Sequence, residues 1–268
     1  MQINEITAVN HLLAALPADE YTRIASHLTL TPIRARQVLH KRGEPMTQIV
    51  FPGRSLCSLI LDMEDGATAE VALVGPEGFV GVEAAIGHRM PPVAASDVAV
   101  QAAGDGYAYT MPMEAFRNEL AGSGAFASAV RGYAHTFLVS VIQSVACNAR
   151  HAVDARCCRW LLQASDRLGT ADLPITHDLM SALLGVRRPT ITLIMNGLSQ
   201  AGIVSPSRGK IHIADRAMLE ARACECYRKA AGMYAGQVAA GGPSVWPETM
   251  RHPTDPTDNK VVVHAPVL

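Results

Sequence analysis

The stretch that decides the fold runs from Leu173 to Ile213 and reads LPITHDLMSALLGVRRPTITLIMNGLSQAGIVSPSRGKIHI. Its apolar residues recur every three or four positions in two successive blocks, and then alternate in two short runs. The first spacing predicts amphipathic helices, whereas the second predicts strands. We therefore predict two helices joined by a tight turn and followed by a β-hairpin.

The helix boundaries are marked by residues that suit them. Thr176 is a good N-cap for the first helix, because its hydroxyl can accept a hydrogen bond from an unpaired amide of the first turn. Gly185 ends that helix, since glycine readily adopts a positive φ. The second helix begins at about Arg188, with Pro189 in the first turn, where a missing N–H costs nothing. Gly202 closes it.

The outward face of this unit is polar and basic. The second helix places Ile191, Ile194, Met195 and Leu198 on its inner face, which leaves residues such as Arg188 for solvent. The strands Ile203-Val204 and Ile211–Ile213 flank the basic tip Ser207–Lys210. We interpret the pattern as a winged helix-turn-helix, a unit that inserts one helix into the major groove of DNA.

At this point the chain resembles a known family. The runs LGVRRPTIT (Leu184–Thr192) and RGKIHI (Arg208–Ile213), followed by CECY (Cys224–Tyr227), resemble the Crp/Fnr superfamily of bacterial transcription regulators. The resemblance covers roughly Leu12 to Tyr227 and is strongest from Cys147 onward. It implies an α+β fold made of an N-terminal double-stranded β-roll like that of cyclic-nucleotide-binding domains, a long dimerisation helix and a C-terminal winged helix-turn-helix.

The expected domain boundaries follow from this resemblance and from composition. Residues 1–121 form the sensor or effector domain, 122–150 the dimerisation helix and 151–231 the DNA-binding domain. A terminal helix is expected from Asp215 to Met233. The segment 232–268 is rich in Gly, Pro, Thr and Asp without a sustained period, which predicts a disordered tail.

The family resemblance assigns roles on the DNA-binding face. Arg188 lies where the family has its main base-reading Arg, whereas Pro189 and Leu193 replace residues that the family uses for reading, so the family's DNA half-site does not transfer. We predict that Arg188, Thr192, Leu193 and Asn196 face base edges. The predicted phosphate contacts are Arg187, Thr190, Ser207, Arg208 and Lys210. Thr176 and Pro189 complete the predicted DNA-binding set.

Between Leu30 and Met111 the pattern is one of short strands separated by Gly-containing turns, which predicts a small barrel or jelly roll. In the family, a Gly-Glu pair contacts the ribose of a cyclic nucleotide and an Arg clamps its phosphate. Here the Gly and Glu are displaced, and an acidic residue, Asp97, lies near the position expected for the Arg. We therefore expect a roll that does not bind cyclic AMP. The candidate pocket for another, unknown small-molecule effector consists of Gly78, Phe79, Gly81, Glu83 and Ser96.

A long apolar run from about Gly124 to Ala149 predicts a helix with a seam. In the family this helix forms a homodimer, whose two-fold symmetry matches a palindromic promoter site; a core helix of a monomer is the alternative. The predicted dimer residues are spaced by alternating threes and fours: Phe126, Val130, Tyr133, Phe137, Val141, Ser144 and Asn148.

Charged residues are distributed unevenly along the chain, in the way that a C-terminal DNA-binding domain would require. Residues 1–149 carry 9 basic and 14 acidic residues, whereas residues 150–229 carry 12 basic and 7 acidic residues. Only the second part has the excess of positive charge that phosphates attract.

The six cysteines have no disulfide-framework spacing, which favours a reducing, cytoplasmic setting. An N-terminal cysteine cluster for iron–sulfur sensing is missing. Cys224-x-Cys226 could be a redox pair or half of a metal site, but no second pair of zinc-type spacing accompanies it. We therefore expect structural cysteines, no metal site and no cofactor. We expect no membrane span, because no stretch of about eighteen apolar residues occurs. We expect no secretory signal, because the first residues, MQINEITAVN, lack a basic n-region and an apolar core.

Two other classes of function stay open. One is an enzyme that uses the β-roll pocket, although the sequence contains no recognisable catalytic constellation. The other is an effector-binding or protein-interaction module whose winged helix is kept for packing alone; the exposed basic residues argue against it. RNA polymerase is the expected partner besides DNA and a second copy. The effector, the promoters and the direction of regulation are not encoded in any pattern that we recognise.

Overall fold

The computed structural model describes residues 10–64, 68–86, 99–103 and 105–239. Ser96, Asp97 and the segment 240–268 lie outside the described residues. The N-terminal part contains four short helices and seven strands: α1 (His11–Ala14), α2 (Ala18–Ala25), β1 (Thr29–Ile33), β2 (Val38–His40), β3 (Gln48–Pro52), β4 (Cys57–Asp62), β5 (Thr68–Val74), α3 (Val82–Ile86), β6 (Ala99–Ala102), β7 (Gly106–Pro112) and α4 (Met113–Leu120).

The strands form two antiparallel sheets. One has the order β1-β7-β3 and the other the order β2-β6-β4-β5. The registers are continuous apart from irregularities at Val38/His40 and Leu59/Ile60. Apart from the β4-β5 pair, neighbouring strands in both sheets are far apart in sequence, as in a roll, so the β-roll expected for this part of the chain is confirmed.

An aromatic cluster fills the core of this domain. Phe51, Phe79, Phe116 and Phe126 are at most 1% exposed, and neighbouring rings of the cluster lie 5.6–6.4 Å apart. Tilted rings at such separations are favourable beyond the area they bury. Because Phe126 lies on the next helix, that helix closes the core of the roll.

This helix, α5, runs from Ala125 to Arg150. Its N-cap is Gly124, which has no side chain to accept the first amides, and Glu20 of α2 takes that role instead. The Glu20 carboxylate accepts hydrogen bonds from the backbone N–H of Ala125 (2.7 Å) and Phe126 (2.8 Å), which lower its pKa. A tertiary contact thus replaces the local cap.

By length and composition alone, α5 is long and apolar enough to cross a membrane. Its most apolar 18-residue window has a mean hydropathy of 1.2, and 33% of that window is buried. The core helix of a soluble protein passes the same test. Here the first half of α5 lies in the core of the roll, whereas several apolar side chains of its second half are exposed.

The C-terminal part contains five helices and three strands: α6 (Val153–Leu168), β8 (Asp172–Leu173), α7 (His177–Leu184), α8 (Arg188–Gln200), β9 (Val204–Ser207), β10 (Lys210–Ile213), α9 (Arg216–Arg222) and α10 (Cys226–Ala239). The hairpin β9-β10 gains a third strand, β8, which the sequence pattern did not reveal. Helices α7 and α8 with this sheet form the predicted winged helix-turn-helix.

The terminal helix and the tail differ from the prediction. The expected single helix from Asp215 is broken at Ala223, whose backbone is extended. Helix α10 continues to Ala239, so that the first eight residues of the predicted tail are helical. Tyr227 anchors this helix, because its hydroxyl donates to Asp166 of α6 at 2.9 Å.

The two domains are in direct contact. The indole Nε1 of Trp160 in α6 donates to Glu70 Oε1 of β5 at 2.8 Å. Arg167 Nε lies 2.7 Å from Glu77 Oε1, and both side chains are less than 10% exposed. Leu56 and Leu73 of the roll belong to the hydrophobic core of the C-terminal domain. The C-terminal domain therefore packs on the second sheet of the roll.

Candidate nucleic-acid interface

The turn between α7 and α8 has the geometry that the sequence predicts. Thr176 Oγ1 accepts a hydrogen bond from the Leu179 amide at 3.2 Å, so Thr176 caps α7. Gly185 ends α7 with a φ of 64°. Arg187 occupies the N-cap of α8 without a capping hydrogen bond from its side chain, and Pro189 lies in the first turn. Pro189 has no N–H, and the Thr190 amide donates to the Arg187 carbonyl at 2.9 Å, so the N-terminus of α8 favours phosphate mainly through its positive helix dipole.

Arg188 is exposed at the start of α8 and is held by the preceding helix. Its Nε lies 3.0 Å from Asp178 Oδ1, with side-chain exposures of 66% and 57%. An ion pair so accessible to water contributes little to stability. The ion pair nevertheless holds the Arg188 guanidinium on the solvent side of α7 and α8. In a complex with DNA, a guanine could replace the Asp178 carboxylate as its partner.

The exposed face of α8 carries the residues predicted to face bases. Pro189, Leu193 and Asn196 are exposed at helical spacing, and Leu193 is 78% exposed. A leucine so exposed in the middle of a helix face leaves most of its apolar side chain accessible to a partner. Thymine methyl groups in the major groove offer such a partner.

Thr192 is less accessible than predicted. It is half-buried, its hydroxyl donates to the carbonyl of Arg188 at 3.2 Å, and it lies 3.4 Å from His177 Nδ1. Its side chain faces α7 rather than the centre of the exposed face. Of the predicted base-facing residues, Thr192 is therefore the one whose hydroxyl is already engaged within the protein.

The wing supplies a second set of exposed polar groups. Ser207, Arg208 and Lys210 are exposed at the tip of the β9-β10 hairpin, where Gly209 has a φ of 76°. Within the described part of the chain, Arg187, Arg208 and Lys210 form no ion pair. Thr190, beside Arg187, is also exposed. These groups surround α8 with uncompensated positive charge, as a phosphate backbone requires.

Residues 155–222 match the family model of the Crp-like helix-turn-helix domain. The C-terminal domain is thus similar to Crp-like helix-turn-helix domains. The match spans α6 through α9 and includes every residue of the predicted DNA-binding set. No match was found among curated protein sequences.

Solved structures match the fold over about three quarters of the chain. A CRP-family transcriptional regulator from Thermus thermophilus is 16% identical with a TM-score of 0.61, covering 72% of this chain and 96% of the other. A second regulator from that organism, of the CRP/FNR family, is 23% identical with a TM-score of 0.58, covering 73% and 98%. The c-di-GMP responsive regulator CLP from Xanthomonas campestris is 15% identical with a TM-score of 0.59, covering 74% and 100%. The chain has the Crp/Fnr fold, and these findings together support a transcription regulator.

The structure corrects part of the predicted dimer surface. Phe126, Val130 and Tyr133 are at most 1% exposed, because they pack in the core of their own β-roll. They are not available to a second copy. Phe137 also packs against that core, Val141 and Ser144 are half-buried, and Asn148 is exposed. The exposed apolar residues of α5 are instead Leu138, Ile142 and Val145, at 50%, 60% and 66%.

The predicted effector pocket is also corrected in part. Phe79 is fully buried between other rings of the aromatic cluster, and a Cβ on Gly78 would lie 1.8 Å from the Tyr133 ring. Gly81 is buried, and a Cβ there would lie 2.5 Å from Ile49. Gly78, Phe79 and Gly81 therefore serve close packing instead of lining an open pocket. Glu83 is exposed on α3, and Ser96 lies outside the described residues.

Proposed function

We propose that this protein is a DNA-binding transcription regulator that acts as a homodimer on a palindromic site, with α8 in the major groove. One observation carries the proposal. The exposed face of α8 presents Arg188, Leu193 and Asn196 to solvent and is bordered by cations without ion-pair partners. With its side chains an α-helix is about 10–12 Å in diameter, which fits the major groove of about 12 Å width, and the 13 residues of α8 give it a length of about 20 Å along the groove.

The second half of α5 supports the homodimer. Its exposed residues Leu138, Ile142 and Val145 follow one another at intervals of four and three, and His135 and Ala149 extend the same spacing on either side. This is the heptad spacing by which two helices pack side by side. We infer that this stripe packs against the α5 helix of a second copy. The stripe is apolar at its centre, and a parallel α5 from the second copy would present the same residues at the same heptad spacing.

The corrected dimer surface lies on the second, C-terminal half of α5, whereas the first half packs in the core of the roll. The two roles of the helix are therefore compatible: its first half seals the sensor domain, and its second half pairs with a partner copy. Two DNA-binding domains related by such a pair would read half-sites separated by one helical turn or a multiple of it.

We further propose that the sensor roll does not respond to cyclic AMP. Gly78 and Phe79, which lie in the turn that corresponds to the family's nucleotide site, are packed into the core. RNA polymerase as a partner and a cytoplasmic location belong to the same proposal. The proposal assigns no enzymatic activity.

The first test is the selection of bound sequences from a random pool of DNA by the purified full-length protein, with and without cyclic AMP. We expect a two-fold symmetric motif to be enriched equally in both conditions. Enrichment only with cyclic AMP would contradict the proposal for the sensor, and no enrichment in either condition would contradict sequence-specific binding.

Variants then separate base reading from phosphate contact. Arg188→Ala should cost about 1–3 kcal/mol on the selected site and relax the preference at one base pair. Lys210→Ala should weaken binding to every sequence alike and reduce its dependence on salt. Arg34→Ala, an exposed Arg of the β-roll, is the matched control and should change neither. Equal losses on all base variants of the site for Arg188→Ala would rule out base reading by this residue.

The alternative is an effector-binding or protein-interaction module whose winged helix does not read DNA. It predicts that binding to duplex DNA is weak and does not depend on sequence at any salt concentration. A salt gradient on a phosphate-bearing column, followed by competition with unrelated DNA, distinguishes the two proposals.

A further inference from the structure

Four potential metal ligands from distant parts of the chain meet where α5 ends. They are Cys147 and His151, at the end of α5 and just beyond it, Cys224, in the link between α9 and α10, and Cys226, the first residue of α10. One ligand atom from each residue lies within 4.8 Å of all the others. The sequence separates the two pairs by more than seventy residues, which is why no zinc-type spacing is visible in it.

We propose that these four residues bind a single Zn²⁺ ion as a closed, structural Cys3His site. Zinc takes four ligands in a tetrahedron, and Cys3His is one of the sets that structural zinc sites use. All four positions come from the protein, so that none is left for a substrate or a reactive water.

Two of the distances between the ligand atoms match those of a tetrahedron around one ion, and the others are at most 4.8 Å. With Zn–S of about 2.3 Å and Zn–N of about 2.0 Å, neighbouring ligand atoms are about 3.5–3.8 Å apart. Cys147 Sγ lies 3.5 Å from Cys224 Sγ, and Cys226 Sγ lies 3.6 Å from His151 Nδ1. An iron–sulfur cluster binds its thiolates through different irons and would hold them further apart.

The surroundings of the histidine suit a ligand. With Nδ1 directed at the thiols, the opposite nitrogen, Nε2, lies 3.0 Å from Glu225 Oε2. A carboxylate that accepts a hydrogen bond from the distal nitrogen is the usual partner of a metal-bound histidine, because it fixes the tautomer and the orientation of the ring. Glu225 is itself half exposed and has no other evident reason to face His151.

Charge and hydrogen bonding around the thiols also suit a metal–thiolate site. Three thiolates and a neutral imidazole give a zinc site one net negative charge. Arg159 is buried nearby, and its Nε has no hydrogen-bond partner in the described structure. Gln143 Nε2 donates to Cys226 Sγ at 3.0 Å. Arg159 and Gln143 would stabilise the net negative charge of the zinc–thiolate site. Without a metal the three buried thiols would be neutral, and no such charge would need to be stabilised.

The position of the site indicates what the ion would do. His151 is the C-cap of α5, and α6 of the DNA-binding domain begins two residues later, at Val153. The ion would tie this connection to the start of α10. It would therefore fix the end of the proposed dimer helix relative to the DNA-binding domain.

The test is the metal content of the full-length protein, purified under reducing conditions and then reconstituted with Zn²⁺ or Co²⁺. We expect one zinc per chain, and with cobalt the absorption of tetrahedral, thiolate-bound Co²⁺. His151→Ala and Cys226→Ser should lose the metal, whereas Cys57→Ala, a buried cysteine of the β-roll, should keep it. These measurements need no DNA, so the zinc site is tested independently of the proposed DNA-binding function.

Glu225→Gln keeps the test valid if a ligand variant fails to fold. This half-exposed side chain is not a ligand, and we expect its substitution to weaken zinc binding 10- to 100-fold in a chelator competition, with circular dichroism unchanged. Wild-type affinity in Glu225→Gln would overturn its role. The site would be overturned by less than about a tenth of an equivalent of metal in reduced, reconstituted wild-type protein. A Cys147–Cys224 disulfide that persists under these conditions would also overturn it, and so would the presence of iron together with sulfide in place of zinc.

Discussion

Glu70 offers a direct test of how the two domains are held together. Its carboxylate lies at the domain contact, where Oε1 accepts the hydrogen bond from Trp160 and Oε2 is enclosed. Burial raises the pKa of Glu70 from 4.5 to about 7, although Trp160, Arg159 and Arg167 oppose the shift. The perturbation that we consider is Glu70→Gln, which keeps the shape and the acceptor for the indole but removes the titration.

The sign follows from proton binding. In the unfolded chain Glu70 loses its proton near pH 4.5, whereas in the folded protein it keeps the proton until about pH 7. The folded state binds more protons between these values, so that the free energy of unfolding falls as the pH rises through this window. A difference of one pKa unit corresponds to about 1.4 kcal/mol, so the shift costs at most about 3 kcal/mol above pH 7, and about 2 kcal/mol of this arises between pH 5 and pH 8.

The assay is urea unfolding of the wild type and of Glu70→Gln at pH 5 and pH 8. Relative to the wild type, the variant should gain about 2 kcal/mol more at pH 8 than at pH 5. Glu64→Gln, an exposed residue just beyond β4, is the control and should show no such difference. In a Trp246→Phe background, the fluorescence of Trp160 should report the same transition. Parallel pH dependences in the wild type and Glu70→Gln would refute the reasoning.

Three further changes test other parts of the structure. Ile142→Lys removes an apolar side chain that is 60% exposed in one copy, and should weaken the proposed dimer by about 1–2 kcal/mol per chain in sedimentation, whereas Met63→Lys, 53% exposed elsewhere, should not. Gly78→Ala forces a methyl group into a neighbouring tyrosine ring and should cost about 1–3 kcal/mol or more in urea unfolding. Gly132→Ala, which has open space on a helix, should be neutral or stabilising. Arg167→Ala leaves a buried carboxylate unpaired and should cost about 3–5 kcal/mol in the same assay.

Local patterns were sufficient for the DNA-binding unit. Thr176 and Gly185 mark the boundaries of α7 through capping and positive φ, which depend on a few neighbouring atoms, and the inner face of α8 follows from helical spacing alone. Such signals act over one or two turns, so the sequence predicted the helix-turn-helix, its wing and most of its exposed residues, although Thr192 is half-buried. β8 was missed because a strand of two residues has no period to detect.

The sequence did not predict which face of α5 packs in the core of its own domain and which is left for a partner. A helix this apolar has several stripes with alternating spacing, and Phe126 and Leu138 both belong to such stripes. Only the packed β-roll shows which stripe enters its own core, and so leaves Leu138, Ile142 and Val145 for a partner. Periodicity identifies a buried face but not the surface that covers it.

By itself, therefore, the sequence determined the elements whose causes are local: the caps, the turns, the helix periods and the basic outer face. The tertiary structure alone decided what depends on long-range contact. It brought Glu70 to Trp160, packed Gly78 against Tyr133, and assembled Cys147 and His151 with the two cysteines of Cys224-Glu225-Cys226. The physical reason is that side-chain spacing along a chain specifies which residues share a face, whereas the close approach of two distant segments depends on the packing of the whole fold.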